Sequence, residues 1–250
     1  MRWWLLLLVL VPFSWTARAQ TPTLAWATSP MVSASSNTCT VTVPATQTAN
    51  VGDELIVFIP LGTQNLTITT PSTSGVTWSA GTTGTSCFNA GGNEEACAIT
   101  GTVTSSQVAG TSFSFTESTN HMAARCDMFD VAGTNNTVDY INGGQPGGST
   151  SMTIPVTLSK ANAFVAAFIY NYSNTDFGTV SFGAGWTGTP TNVNIVFYPG
   201  NLSAADFYNV QTASGTPGLV VNWTNPTWAD YVLVALQPGA GAAAATGFFW

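Results

Sequence analysis

The residue pattern predicts an all-β fold: an antiparallel β-sandwich, jelly-roll-like, of about a dozen short strands, with a closed barrel as the architectural alternative. Three observations predict it. From Thr38 onward apolar side chains recur with a period of two, as they do on strands with one buried face. Gly, Pro, Asn or Ser interrupts the pattern at short intervals. No stretch has a helical apolar period of useful length; the nearest, Ser203 to Tyr208, is short and lies between Gly200 and a polar break.

Taken in order, strands are predicted over Thr38 to Val43, Glu54 to Leu61, Ala96 to Val103, Ser112 to Thr116, Ala123 to Val131 and Ser151 to Thr157. The pattern continues over Ala163 to Tyr172, Thr179 to Phe182, Val193 to Tyr198, Ala204 to Val210, Gly218 to Thr224 and Asp230 to Gln237. Phe113 and Phe115 alternate with Ser112, Ser114 and Thr116, which gives one dry face and one wet face. Ala163 to Tyr170 is apolar throughout, as a central strand covered on both sides must be. Its even positions (Phe164, Phe168, Tyr170) should line one face and its odd positions (Ala163, Val165, Ala167, Ile169) the other.

The ends of the chain read differently from its middle. Met1 to Ala19 has Arg2, the apolar run Trp3 to Phe13, and Ala17-Arg18-Ala19 as a small-x-small cleavage site, the order of a secretory signal peptide. Its apolar run is too short to span a bilayer, which takes about 20 residues. We therefore expect a mature chain from Gln20, secreted or at the cell surface, with one sandwich domain over residues 20–238. Residues 239–250 read as a linker-like or truncated tail ending in Phe248-Phe249-Trp250. The flexible stretch Gly143 to Ser149 is the best place for an internal break; read as a loop, it leaves one domain.

Composition narrows the partners. Cleavage leaves Arg125 and Lys160 as the only basic residues against 11 acidic ones. Such a chain cannot neutralise clustered phosphates, so nucleic acid is excluded as a partner, and an anionic membrane surface is disfavoured in the same way. Disorder is disfavoured as well, because 45% of residues are hydrophobic and only 6% charged. Four cysteines in an exported chain point to disulfides. Asn89 to Asn93 reads as a turn between Cys87 and Cys97, which favours that pair and leaves Cys39 for Cys126; the other two pairings stay open.

Several short motifs belong together: Gly52-Asp53-Glu54 ahead of Leu55-Ile56-Val57; Gly75-Val76-Thr77-Trp78; the run Ala123 to Asp130 closing in Val131-Ala132-Gly133; and Tyr231 to Leu236 ahead of Gln237-Pro238-Gly239. In these the chain resembles uncharacterised secreted bacterial β-sandwich domains found alone or appended to surface proteins and hydrolases. The resemblance spans Leu24 to Pro238. Its motifs are structural turns and core strands, so it implies a fold and a compartment but no activity. Cys87 and Cys97 have no counterpart in the group.

A search for chemistry finds little. His121, the sole histidine, lacks a glycine-flanked serine elbow. Glu94 and Glu95, or Asp127 and Asp130, would be the carboxylates of a glycoside hydrolase, but each pair should diverge across a strand, and Glu94 and Glu95 are more simply solvated in a turn. No catalytic residue is assigned and no cofactor is expected; calcium is the metal that loop carboxylates and carbonyls would suit, although no EF-hand pattern is present. Trp186, Trp228 and the nearby Asn225 stand in loops, where indole rings could lie against the apolar face of a sugar. Trp78 and Trp223 read as core. The expectation is a non-catalytic recognition module for a glycan or other surface polymer. The alternative is a self-associating structural subunit of a surface, matrix or fibre.

Overall fold

A computed structural model describes residues 20–240, except 29–36, 63–64, 73–74, 90–94, 118–125, 146–149, 173–174 and 199–201. The predicted signal peptide and the tail after residue 240 lie outside the described residues. Among those residues the protein is all-β: sixteen strands and no helix.

In chain order the strands are β1 (Thr23–Ala27), β2 (Thr38–Thr42), β3 (Glu54–Leu61), β4 (Val76–Trp78), β5 (Cys87–Asn89), β6 (Glu95–Val103), β7 (Ser112–Thr116) and β8 (Asp127–Ala132). They continue as β9 (Thr134–Gly144), β10 (Ser151–Pro155), β11 (Ala163–Tyr172), β12 (Val180–Phe182), β13 (Thr191–Tyr198), β14 (Leu202–Gln211), β15 (Gly218–Trp223) and β16 (Asp230–Pro238). Each strand that alternation predicts is present with small shifts at its ends, although Ala123 to Arg125 lie outside the described residues. The pattern misses β1, β4, β5 and β9. Two of these are only three residues long, and β9 is rich in Asn and Gly, which disguises its period.

All strand pairs are antiparallel, and β1–β8 share no ladder with β9–β16. In the first set one sheet runs β1-β8-β3-β6-β4, with β5 also on β6, and β2 pairs with β7. In the second, one sheet runs β13-β14-β11-β16-β9 and another β10-β15-β12. The pairing therefore changes at Gly133, between β8 and β9. Gly143 and Gly144, the start of the predicted break, instead pair with Val232 and Tyr231. An isolated bridge between Gln20 and Gly239 joins the two ends of the described chain.

Three cores follow from strand alternation. One face of β3 sends Leu55, Val57 and Ile59 against Cys39, Val41, Phe113 and Phe115 of β2 and β7. One face of β11 sends Val165, Ala167 and Ile169 against Met152, Ile154, Leu219 and Val221 of β10 and β15. The opposite faces of β3 and β11 meet in the third, where Ile56 and Phe58 lie with Phe164, Phe168, Val232 and Val234. The Phe58 and Phe168 rings stack there, centroids 5.7 Å apart and 11° from parallel. Full burial of each such side chain stabilises the fold by about 1.5–3 kcal/mol, which is why these two strands are apolar on both faces.

Two local features hold the first set together. The cysteines form Cys39–Cys126 and Cys87–Cys97, with none free. Gly101 lies opposite Trp78, and a Cβ at Gly101 would collide with the indole. Without one, the Trp78 ring lies over β6 and meets Phe113 and Phe115 edge-on at 5.3 and 5.1 Å.

Candidate functional site

The Gly183–Pro190 loop, which connects β12 to β13, builds a cleft. It begins as an extension of the β12·β15 ladder: Gly183 N–H donates to the Val220 carbonyl at 2.9 Å and Val220 N–H to the Ala184 carbonyl at 3.0 Å. The chain then reverses at Gly185, whose φ of 89° suits glycine and whose missing Cβ would strike the Gly218 carbonyl oxygen. That reversal turns Trp186 inward. Its indole N–H donates to the Val220 carbonyl at 3.0 Å, and its ring meets Phe182 and Phe207 edge-on, both at 5.7 Å. Gln211 accepts from the Thr187 amide at 3.2 Å and hydroxyl at 3.0 Å, and Asn209 donates to the Thr187 carbonyl at 2.6 Å.

Outside this anchored loop is an open cleft of about 380 Å³, lined by Val180, Ser181, Phe182, Gly183, Gly188, Thr189, Pro190 and Asn192. Ser181, Thr189 and Asn192 are exposed, and Phe182 is half-buried. The lining is therefore two hydroxyls, one carboxamide and one aromatic ring, without a charge. Such a surface can exchange neutral hydrogen bonds and cover an apolar ligand face. It offers no titrating acid or base.

The sequence-predicted residues are not gathered in one place. Trp186 is pinned near the start of β15 and faces the interior, whereas Trp228 lies past the far end of that strand and is 63% exposed. Asn225 stands on the same turn as Trp228, but its amide donates to Asp176, which also accepts from the Gly178 N–H at 2.9 Å. The turn is tied further by the Thr179 N–H to the Thr224 hydroxyl at 3.0 Å and by Asn171 to the Thr227 hydroxyl at 3.0 Å. Trp223 lies within the core of the second set, and Trp78 is partly buried against that of the first. No family, curated protein or solved structure matches the chain.

The candidate carboxylates have structural surroundings. His121 and Glu94 lie outside the described residues. Glu95 is buried, not solvated: it accepts from the Leu66 N–H at 3.0 Å and the Thr83 hydroxyl at 2.7 Å. Strand parity places Asp127 on the Phe129 face of β8 and Asp130 on the Met128 face, so they diverge. Burial pushes Asp130 up to about 8; the Asp53 carboxylate adds to the rise and the Trp26 indole works against it. Burial likewise pushes Glu54 up to about 7 against the hydroxyls of Thr102 and Thr100. Among the described residues no three His, Cys, Asp or Glu side chains are placed to hold a metal ion.

Sequence reasoning did not find Ser181, Phe182, Thr189 and Asn192. The usable signal was the spacing of Gly183, Gly185 and Gly188, which marks a loop folded against its own strand.

Proposed function

We propose that the chain is an exported, non-catalytic recognition module that binds a neutral glycan or similar uncharged surface polymer in the Ser181–Asn192 cleft. The observation that carries this is the lining: hydroxyls, a carboxamide and an aromatic ring converge there without a charged group. Sugars present both hydroxyls and an apolar C–H face, so this mixture suits them. Export is supported by the Met1 to Ala19 pattern and by the two disulfides. A jelly-roll reading of each half is supported by its strand order, in which the first strand lies beside the eighth, followed by the third and sixth, while the second and seventh pair separately.

The test is a binding screen of residues 20–250 against neutral and acidic polysaccharides, with light scattering on the same sample. Retention on a neutral polymer that Asn192→Ala and Ser181→Ala each weaken at least several-fold is the expected result. Binding that only Trp228→Ala abolishes would move the site to the other end of β15. Concentration-dependent assembly without ligand binding would favour the structural-subunit reading.

A further inference from the structure

The two strand sets repeat one plan. The order β1-β8-β3-β6 in one is β9-β16-β11-β14 in the other, and β2·β7 corresponds to β10·β15. Ladder register assigns equivalent positions along these strands. The short fourth strands depart from the plan, since β4 pairs with β6 whereas β12 pairs with β15.

Backbone and side-chain details follow the same correspondence. Gly52 and Asn162, which precede their central strands at matching positions, both have positive φ, 91° and 59°. Leu61 pairs with Glu95 and Asn171 with Ser203, and these two partners play one structural role. Glu95 accepts from the Leu66 N–H at 3.0 Å and Ser203 from the Phe177 N–H at 3.1 Å. A shared strand order alone would not reproduce these details.

The centre of the interface has the symmetry that duplication requires; its edge does not, because β9 touches β5 and β6 while β1 has no comparable contact with β13 or β14. Phe58 and Phe168 are equivalent by register, and it is these two rings that stack on each other. Phe129 of β8 meets Tyr208 of β14, and β16 touches β6, the same two strand positions with the halves exchanged. Reciprocal contacts of this kind define a two-fold, isologous interface.

We propose that residues 20–133 and 134–239 are two copies of one eight-strand unit, fused at Gly133, and that the β3/β11 face is a dimer surface whose fitting partner is a second copy of the unit. The outer ends of the two units match this: the Gln20 N–H donates to the Gly239 carbonyl at 2.9 Å, and the Gly239 N–H to the Gly133 carbonyl at 2.8 Å, so both unit junctions meet.

Two experiments on the whole chain test it. In the first, Phe58→Ala, Phe168→Ala and the double variant are melted. Equal drops in Tm, with the double drop smaller than their sum, are expected. Drops differing more than about twofold, or fully additive ones, would overturn the two-fold pairing. If the alanine variants do not fold, the same set with Phe→Leu gives the same comparison. In the second, a permutant runs from Thr134 to Gly239, through a short turn, then from Gln20 to Gly133. It should keep the strand content, both disulfides and a Tm near that of the parent; loss of the native circular dichroism spectrum would overturn the interchangeable order.

Discussion

Residues 20–133 and 134–239 solve one architectural problem with different chemistry. The first unit holds Cys39–Cys126 and Cys87–Cys97, and it buries Asp53, Glu54, Glu95, Glu117, Asp127 and Asp130 where the second buries Asp206 and Asp230. In the second, Met152 and Tyr231 occupy the positions matching Cys39 and Cys126, and both are buried in its apolar core. The loops after β4 and β12 differ as well. Thr83 donates to the buried Glu95 in a loop that Ser86 ties back to Ala80, whereas the Thr187 loop stands beside the open cleft. One copy is stapled, and the other carries the open cleft. Apolar packing holds this plan without covalent help, so the staples of the first unit are additions to the fold.

The largest break of that comparison is removal of the long staple. In the chain-entropy account a bridge spanning 87 residues contributes about 4.6 kcal/mol and one spanning 10 about 2.7 kcal/mol. Cys39→Ala with Cys126→Ala should therefore lower stability in urea more than Cys87→Ala with Cys97→Ala. An equal or reversed order would show that the short bridge does more than restrain the unfolded chain.

A second break acts through pH and rests on two acids of the first unit. Asp130 and Glu54 hold protons in the folded state up to about 8 and about 7, well above their unfolded values. The folded state thus binds more protons than the unfolded one between roughly pH 4 and pH 8, and stability must fall as pH rises through that window. Asp139 has the opposite sign: the Ser159 and Gln237 hydrogen bonds outweigh its partial burial and lower it, so its contribution is lost only in stronger acid. Tm should drop steadily from pH 5 to pH 8, and Asp130→Asn should flatten the slope. A Tm that climbs over this range would contradict the buried, protonated state of both groups.

A third variant sharpens the difference between the loops. Gly185→Ala places a Cβ against the Gly218 carbonyl at a φ of 89°, a strain of about 1–2 kcal/mol before any collision is counted. Gly81→Ala, in the loop after β4, keeps an ordinary φ but meets Ile68 and Ile99, so it should cost stability through crowding. The expected distinction is in the cleft: Gly185→Ala should disturb the Trp186 fluorescence signal and ligand retention, while Gly81→Ala lowers Tm and leaves retention unchanged.

The strands were legible because alternation is a local property, and Ala163 to Tyr170 announced a doubly covered strand without any tertiary information. What the sequence hid was relational. Trp186 sits among Gly, Ala and Thr and looks like a loop ring open to solvent; only the reversal at Gly185 and the Val220 carbonyl turn it inward. Glu95 reads as a turn carboxylate, and its burial depends on Leu66 and Thr83, which are far from it in sequence. The proposed duplication lies in strand order and ladder register, which period-two patterning, common to every strand, does not carry.

The smallest expected effect on stability is also the sharpest test of where recognition occurs. Trp228 is the one large aromatic side chain prominently exposed among the described residues. Substitution at such a surface position changes stability by no more than about 0.5 kcal/mol. Trp228→Ala should therefore leave Tm unaltered, in contrast to Trp186→Ala, which removes a half-buried ring packed on Phe182 and Phe207. If the cleft carries recognition, ligand retention follows Asn192 and Ser181 and is indifferent to Trp228. If Trp228→Ala abolishes retention with Tm unchanged, the ring itself is the platform, and recognition belongs to the end of the second unit opposite the cleft.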